Sequence, residues 1–162
     1  MKKSIIITLI ILITILIVLI IGGIFMLSRN DKKEIKDIKR LYYIYSRGYM
    51  MDAYYIFELE YKDNKYIATI KPHGKSEEEK QTVEMNNKDI EKINRLLTEN
   101  KVYKWKGFHK NNKHVLDGDS FSFTLELEDR EIDASGYMMW PNNYRIVEEE
   151  LTNIFMNYYK EN

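Results

Sequence analysis

Histidines are the first residues to consider as possible metal ligands, and the sequence has three: His73, His109 and His114. His109 and His114 are five positions apart, which differs from the four-residue spacing that places two ligands on one helix face, and they lie in a segment rich in Lys and Asn. The acidic run at 117–120 lacks the remaining ligands of a calcium loop. We therefore expect solvated histidines, a simple turn at 117–120, and no metal site.

Candidate catalytic groups are present without the spacing that catalysis uses. The sequence has no cysteine, which excludes thiolate chemistry, and no serine lies in a G-x-S-x-G motif. The carboxylates at 77–79 and 148–150 have the pattern of a loop and of a solvated helix face. We predict no cofactor. One alternative stays open, because two carboxylates distant in the sequence can meet in the fold, as they do in glycan-cleaving enzymes.

Aromatic residues give the strongest functional signal. Thirteen tyrosines and two tryptophans exceed what the core of a domain this size needs. Four aromatic residues lie in or beside the loops that flank the last predicted hairpin: Trp105, Phe108, Tyr137 and Trp140. We predict that they form a contact surface for a sugar, a peptide or a neighbouring protein.

Two alternatives for the aromatic residues remain. Tyrosines can fill half-buried strand positions and keep their hydroxyls in water, or some rings can pack toward lipid headgroups. We also expect at least one of the two tryptophans to be structural, with Trp105 favoured over Trp140.

The elements that would position these rings begin with three antiparallel strands. Segments 41–46, 53–61 and 66–71 are rich in Tyr, Ile and Phe, which suit a half-buried pleated surface. Asp63 and Asn64 separate the second strand from the third and favour a tight hairpin. After a short edge strand at 81–85, Asn86 or Asn87 can cap a helix over 88–99, with Asn100 in the left-handed position at its end.

The second half of the sequence predicts a hairpin and a helix. Residues 121–127 alternate Phe or Leu with polar residues, the clearest period-two pattern in the chain. A turn at 129–130 leads to a strand over 131–135, which Gly136 ends, and Pro141 precedes the last helix. The order predicts an α+β fold, in which an N-terminal transmembrane helix is followed by an antiparallel sheet of about five or six strands packed on two helices.

The second half also resembles a known group of domains. W-x-G-F stands at 105–108, D-G at 117–118 and S-G at 135–136, and Pro141 follows before a helix. This order resembles small uncharacterised membrane-anchored or lipoprotein-like domains of low-GC Gram-positive bacteria, over roughly residues 102–151. The chain has no cysteine for a lipoprotein signal, so the resemblance implies the membrane-spanning variety. It implies no known activity.

The N-terminal segment predicts a membrane anchor. Residues 5–27 carry no charge and would reach about 34 Å as a helix, which is enough to cross a bilayer core of roughly 30 Å. The apolar run is too long for a cleaved signal peptide, and no small-residue cleavage site follows it. We therefore predict an anchor at 1–28, a charged stalk at 29–40 and one α+β domain at 41–162.

Charge bears on orientation and on the partner. The chain has 25 basic and 25 acidic residues, and a domain this close to neutral argues against a nucleic-acid partner. Basic residues after the span favour a cytoplasmic domain, but acidic residues are mixed with them and a long domain is exported regardless of charge. We favour a single-pass cell-membrane protein whose domain lies outside the cytoplasm and binds a protein or envelope component without catalysis. A cytoplasm-facing regulatory domain is the alternative orientation.

Overall fold

The computed structural model describes residues 12–20, 34–48 and 54–161, and the chain divides into two compact units, Met1–Glu34 and Ile35–Asn162. In the first unit, residues 12–20 are helical and their large apolar side chains are exposed. Among the described residues, no helix is both long enough and apolar enough to cross a membrane. Most of the predicted anchor at 5–27 lies outside the described residues.

The second unit contains a mixed sheet, in which the described residues form seven strands. They are β1 (Arg40–Ser46), β2 (Tyr54–Lys62), β3 (Lys65–Lys71), β4 (Gln81–Met85), β5 (Phe108–Asn111), β6 (Ser120–Glu126) and β7 (Glu131–Tyr137). Their order across the sheet is β4-β3-β2-β1-β6-β7-β5. All neighbours are antiparallel except β5 and β7. The α+β prediction is confirmed, but the sheet is larger than predicted and is not purely antiparallel, because the polar segment after Trp105 supplies β5.

The β2–β3 hairpin shows how local sequence sets the register. Asp63 and Asn64 form its two-residue turn, and both have positive φ angles, 51° and 61°. This combination belongs to the type I′ turn, whose twist matches that of the flanking strands and which Asp and Asn tolerate well. Lys62 therefore pairs with Lys65, and the registration continues to Ile56 and Lys71.

One face of the sheet forms the core with two helices, α1 (Asn87–Glu99) and α2 (Tyr144–Met156). Alternate strand residues, including Leu41, Tyr43, Phe57, Phe123 and Leu125, are almost completely buried on this face. The helices contribute Ile90, Ile93, Leu97, Val147, Leu151 and Phe155 to the same cluster. The prediction of two helices on one face is thus confirmed for the described part of the chain.

The ends of α1 follow the prediction at one terminus and depart from it at the other. The Asn86 side-chain oxygen accepts a hydrogen bond of 2.9 Å from the Asp89 N–H, as an N-cap does. At the other end Asn100 has a φ of −82°, and Lys101 takes the left-handed conformation with a φ of 57°. The left-handed residue therefore comes one position later than predicted, and it turns the chain into the next segment.

The compact unit Ile35–Asn162 includes residues 35–40, which the sequence analysis assigned to a charged stalk. Ile35 and Ile38 are each only 1% exposed, and the Ile35 N–H donates to the Thr98 hydroxyl at 2.9 Å. Asp37 has a φ of 52°, which lets the chain turn between the two isoleucines. The isoleucines three positions apart thus belong to the core, whereas the stalk residues 29–33 lie outside the described residues.

Candidate functional site: a basic groove at the β5 edge

A groove of about 550 Å³ lies at the β5 end of the sheet. We call it the basic groove, and it is lined by Asn100, Lys101, Lys104, Trp105, Phe108, Lys110, Trp140, Pro141, Asn142 and Asn143. These residues come from the end of α1, a short 3-10 turn (Val102–Trp105), β5 and the loop before α2. Segments distant in sequence therefore meet here, as is usual for a ligand site.

Trp105 forms the floor of the basic groove. Its side chain is only 2% exposed, and its indole N–H donates to the Asn142 carbonyl at 3.0 Å. The indole centroid lies 5.3 Å from that of Phe123 and 6.0 Å from that of Tyr144. The expectation that Trp105 is structural is confirmed, and the residue lies in a 3-10 turn. The hydrogen bond also fixes the loop that carries the Asn wall of the groove.

Trp140 forms a half-buried wall. Its indole stacks on the Tyr144 ring, with the ring centroids 4.6 Å apart. The Arg145 guanidinium lies over the Trp140 ring, 5.1 Å from its centroid. Gly136 makes this arrangement possible, because a Cβ atom there would come within 2.0 Å of the Met139 carbonyl oxygen. The lack of a side chain at Gly136 lets the chain that follows β7 pass close to it on the way to Trp140. Gly136 lies within β7, which ends at Tyr137, so the prediction that Gly136 ends this strand is wrong.

A buried tyrosine network holds the first turns of α2 against the sheet. The hydroxyls of Tyr43 and Tyr144 are 2.5 Å apart, and the Tyr55 hydroxyl donates to the Glu148 carboxylate. Tyr144 and Glu148 are one helical turn apart, so the neighbouring strands β1 and β2 both form hydrogen bonds to the same face of α2. Burial raises the pKa of the Tyr43, Tyr55 and Tyr144 hydroxyls above their ordinary value, which keeps them neutral. These bonds attach the start of α2, and the groove wall that precedes it, to the sheet.

The basic groove is positively charged. Lys101, Lys104 and Lys110 line it, and no described carboxylate does. Within the described residues, no ion pair joins any of these three lysines to an acidic side chain. Residues 101–116 contain five lysines, two histidines and no acidic residue. The groove therefore offers positive charge, amide groups and aromatic surface, the combination that suits an anionic ligand.

The histidines do not gather. His109 lies on the sheet face opposite the groove, where its Nδ1 is 2.9 Å from the Ser135 hydroxyl and its Nε2 is 3.5 Å from an Asp133 oxygen. His73 and His114 are exposed in separate loops. In the described part of the chain, no group of three or more His, Cys, Asp or Glu residues is placed to hold a metal ion.

The structure brings together three of the four aromatic residues selected from sequence. Trp105, Phe108 and Trp140 line the basic groove, whereas Tyr137 lies on the other face of the sheet, beside a separate depression of about 250 Å³. The alternation along β7 explains this, because Tyr137 follows the inward-facing Gly136. Sequence reasoning missed the groove lysines. The acid-free run at 101–116 was the signal that pointed to them.

Comparison with known proteins leaves the family open. No protein-family model and no curated protein matches the chain. The resemblance based on W-x-G-F, D-G and S-G stays a prediction. The residues of the basic groove therefore carry the functional inference.

Proposed function

We propose that this chain is a membrane-tethered, non-catalytic domain that binds a protein or envelope component in the basic groove. One observation carries the proposal: Trp105, Phe108 and Trp140 meet in a single groove with three lysines and no described carboxylate. A buried floor and a half-buried aromatic wall resemble the anchor-and-rim arrangement of binding surfaces.

Binding explains the groove better than catalysis does. General acid–base chemistry needs a proton-transferring group in reach of the reacting atom, and a hydrolase of glycans needs a pair of carboxylates there. The described groove lining offers lysines and side-chain amides, while Glu148, the carboxylate nearest to the tyrosine network, is bonded to Tyr55. We therefore assign these groups the role of orienting and holding a ligand.

The tether is supported by sequence and by exposed apolar surface. Residues 5–27 are uncharged, and in the described helical stretch at 12–20 the large apolar side chains are between 48% and 67% exposed. A cluster of exposed apolar side chains marks a site of interaction with lipid or protein, which supports the tether. Resistance of the chain to alkaline carbonate extraction tests the tether, and protease added to cells without a wall tests the side. Complete protection until lysis would place the domain in the cytoplasm.

Photo-crosslinking tests the binding site directly. The photoreactive residue p-benzoylphenylalanine would replace Phe108 in the full-length chain, expressed in its native host. The control places it at His73, which is exposed in the β3–β4 loop at the other end of the sheet. We expect a discrete adduct at position 108 and none at position 73. Equal labelling at both positions, or no labelling at 108, contradicts binding in the groove.

A further inference from the structure

β5 leaves one edge of the sheet open beside the basic groove. It is the last strand in the sheet order, and within the described residues it pairs only with β7. The Asn112 N–H donates to the Tyr137 carbonyl at 3.0 Å. This bond shows which alternate residues of β5 direct their backbone groups toward β7. Alternate residues of a parallel strand direct their backbone groups to the same side, so Phe108 and Lys110 face β7. The N–H and C=O groups of His109 and Asn111 are therefore directed at the open edge.

We infer that the basic groove takes an extended acidic segment of a partner protein, which adds to the sheet as a further strand along β5. The inference rests on the proposed function and names its ligand. Main-chain hydrogen bonds to His109 and Asn111 would supply affinity, and the groove would supply selectivity, as in other cases of strand addition.

The side-chain pattern of β5 sets the pattern of the ligand. Phe108 and Lys110 point to the groove face of the sheet, and His109 points to the opposite face, where it meets Ser135. A strand added along β5 has the same alternation, so every second ligand residue faces the groove. Those residues meet Lys101, Lys104 and Lys110 with no described carboxylate among them. Acidic residues at alternate positions therefore fit this edge.

Edge lysines also have a purely protective use, since a charged edge discourages pairing between copies. The arrangement here differs from simple protection. Two of the three lysines, Lys101 and Lys104, lie outside β5 and still line the groove, and the Lys110 ammonium lies 5.2 Å from the Phe108 ring centroid. The lysines thus frame a concave surface beside the edge. Such a frame repels a second copy of this basic edge and attracts an acidic strand.

The first test varies the ligand and leaves the protein unchanged. The probe is a capped octapeptide in which Glu and Thr alternate, titrated into the full-length chain by calorimetry. The controls are an octapeptide of the same composition with its four Glu in one block, and inorganic polyphosphate. We expect the alternating peptide to bind about fivefold or more tighter than the block peptide. Two further peptides carry N-methyl groups on the odd-numbered or on the even-numbered amides. We expect one of them to lose binding, because its edge-facing N–H groups are blocked, and the other to bind still.

The second test varies the protein. Asn111→Pro removes an edge N–H, whereas Asn111→Thr keeps it, and Pro is tolerated where the N–H faces away from the ladder. We expect about tenfold weaker binding for Asn111→Pro than for Asn111→Thr. Lys104→Glu should weaken binding about tenfold, while Lys113→Glu, in the same basic segment but outside the groove lining, should change it by about twofold or less. Thermal melts check that each variant is folded.

The outcomes separate this inference from the proposed function. Equal binding of the alternating and block peptides, or equal effects of the two N-methylation patterns, would mean a general polyanion surface and would overturn strand addition. Strong binding of polyphosphate alone would do the same. No binding of any acidic peptide also overturns it. In each case a discrete adduct at position 108, for example a glycan adduct, would leave the groove as the binding site, whereas loss of that adduct removes both proposals.

Discussion

The two edges of the sheet are finished in opposite ways. At the β4 edge the protein uses its own chain: the Gln81 side-chain amide donates to the Lys160 carbonyl at 2.6 Å and accepts from the Lys160 N–H at 3.0 Å. Lys65 pairs there with Glu84 at 2.7 Å. At the β5 edge the strand is short, and the lysines beside it have no acidic partner in the described part of the chain.

The difference indicates which edge is available to another molecule. An unpaired edge is a hazard, and proteins cover it or charge it. The C-terminal residues bond to Gln81 at the start of β4 and are themselves fixed, because the Tyr158 hydroxyl donates to Asp89 at 2.6 Å and accepts from the Asn86 side chain at 2.5 Å. β5 has lysines beside it and, among the described residues, no comparable bond from another segment to its open side. We therefore expect substitutions at β4 to change stability and substitutions at the β5 rim to change binding.

The largest effect should come from the floor beneath β5. Trp105→Ala should lower the free energy of unfolding by about 3–5 kcal/mol, because it removes a buried ring and leaves a cavity. Trp140→Ala is the matched control, and it should cost roughly 1–2 kcal/mol, since the ring is half-buried. Chemical denaturation of both variants measures the difference. Equal losses would show that Trp140 is part of the core and remove it from the contact surface.

At the β4 edge, removal of the Tyr158 hydroxyl alone should lower the stability of the fold measurably. Tyr158→Phe should lower the free energy of unfolding by about 1–3 kcal/mol, because Asn86 and Asp89 lose their shared partner. Tyr103→Phe is the control, since this partly buried ring packs against the core and its hydroxyl takes part in none of the side-chain hydrogen bonds described above. Thermal melts decide the comparison. A neutral Tyr158→Phe would mean that the C-terminal residues do not secure this edge.

The same network predicts a pH dependence. The Lys92 ammonium and then the Tyr158 hydroxyl lower the pKa of the Asp89 carboxyl below its ordinary value of 3.8. A lowered folded-state pKa means that the stabilisation is complete above the ordinary value and is lost as the pH falls through the folded-state pKa. Tyr158→Phe should raise the Asp89 pKa in an NMR titration. An unchanged titration would show that the hydroxyl bond does not act on Asp89.

The smallest effect on stability should come from the open edge itself. Asn111→Pro should change the free energy of unfolding by less than about 0.5 kcal/mol relative to Asn111→Thr, because the lost N–H is not in the β7 ladder. Denaturant melts of the two variants provide the measurement. A large loss would show that the Asn111 N–H has a partner in the fold, and the edge would then not be open.

Sequence predicts the elements of this fold where local patterns decide them. The alternation at 121–127 gave β6, the Asp63–Asn64 pair gave a tight hairpin, and Asn86 gave the start of α1. β5 escaped prediction because FHKN has no apolar alternation. Its place depends on pairing with β7, which is a non-local contact. The burial of Ile35 and Ile38 was not predicted either, because the charged residues around them indicated a solvated stalk.

The sequence predicted the aromatic residues of the candidate site but not their burial or the lysines beside them. Proximity to loops selected Trp105, Phe108 and Trp140 correctly as neighbours, but it could not tell a buried floor from a half-exposed wall. Burial depends on what covers a ring, and Trp105 is covered by the loop that its indole N–H binds through Asn142. Tyr137 was included because its position along β7 does not show which face it occupies until the strand register is known.

β1 lies in the middle of the sheet although it is the first strand among the described residues. One of its neighbours, β2, follows directly, whereas the other, β6, begins only at Ser120. During synthesis from the N-terminus, β1 to β4 leave the ribosome as a set of local hairpins, while the second side of β1 waits for most of the domain. A nascent chain halted before residue 120 therefore leaves one edge of β1 open, and an open edge is where copies of a chain can pair. Pairing of β6 with β1 closes this edge and joins the two halves of the sheet.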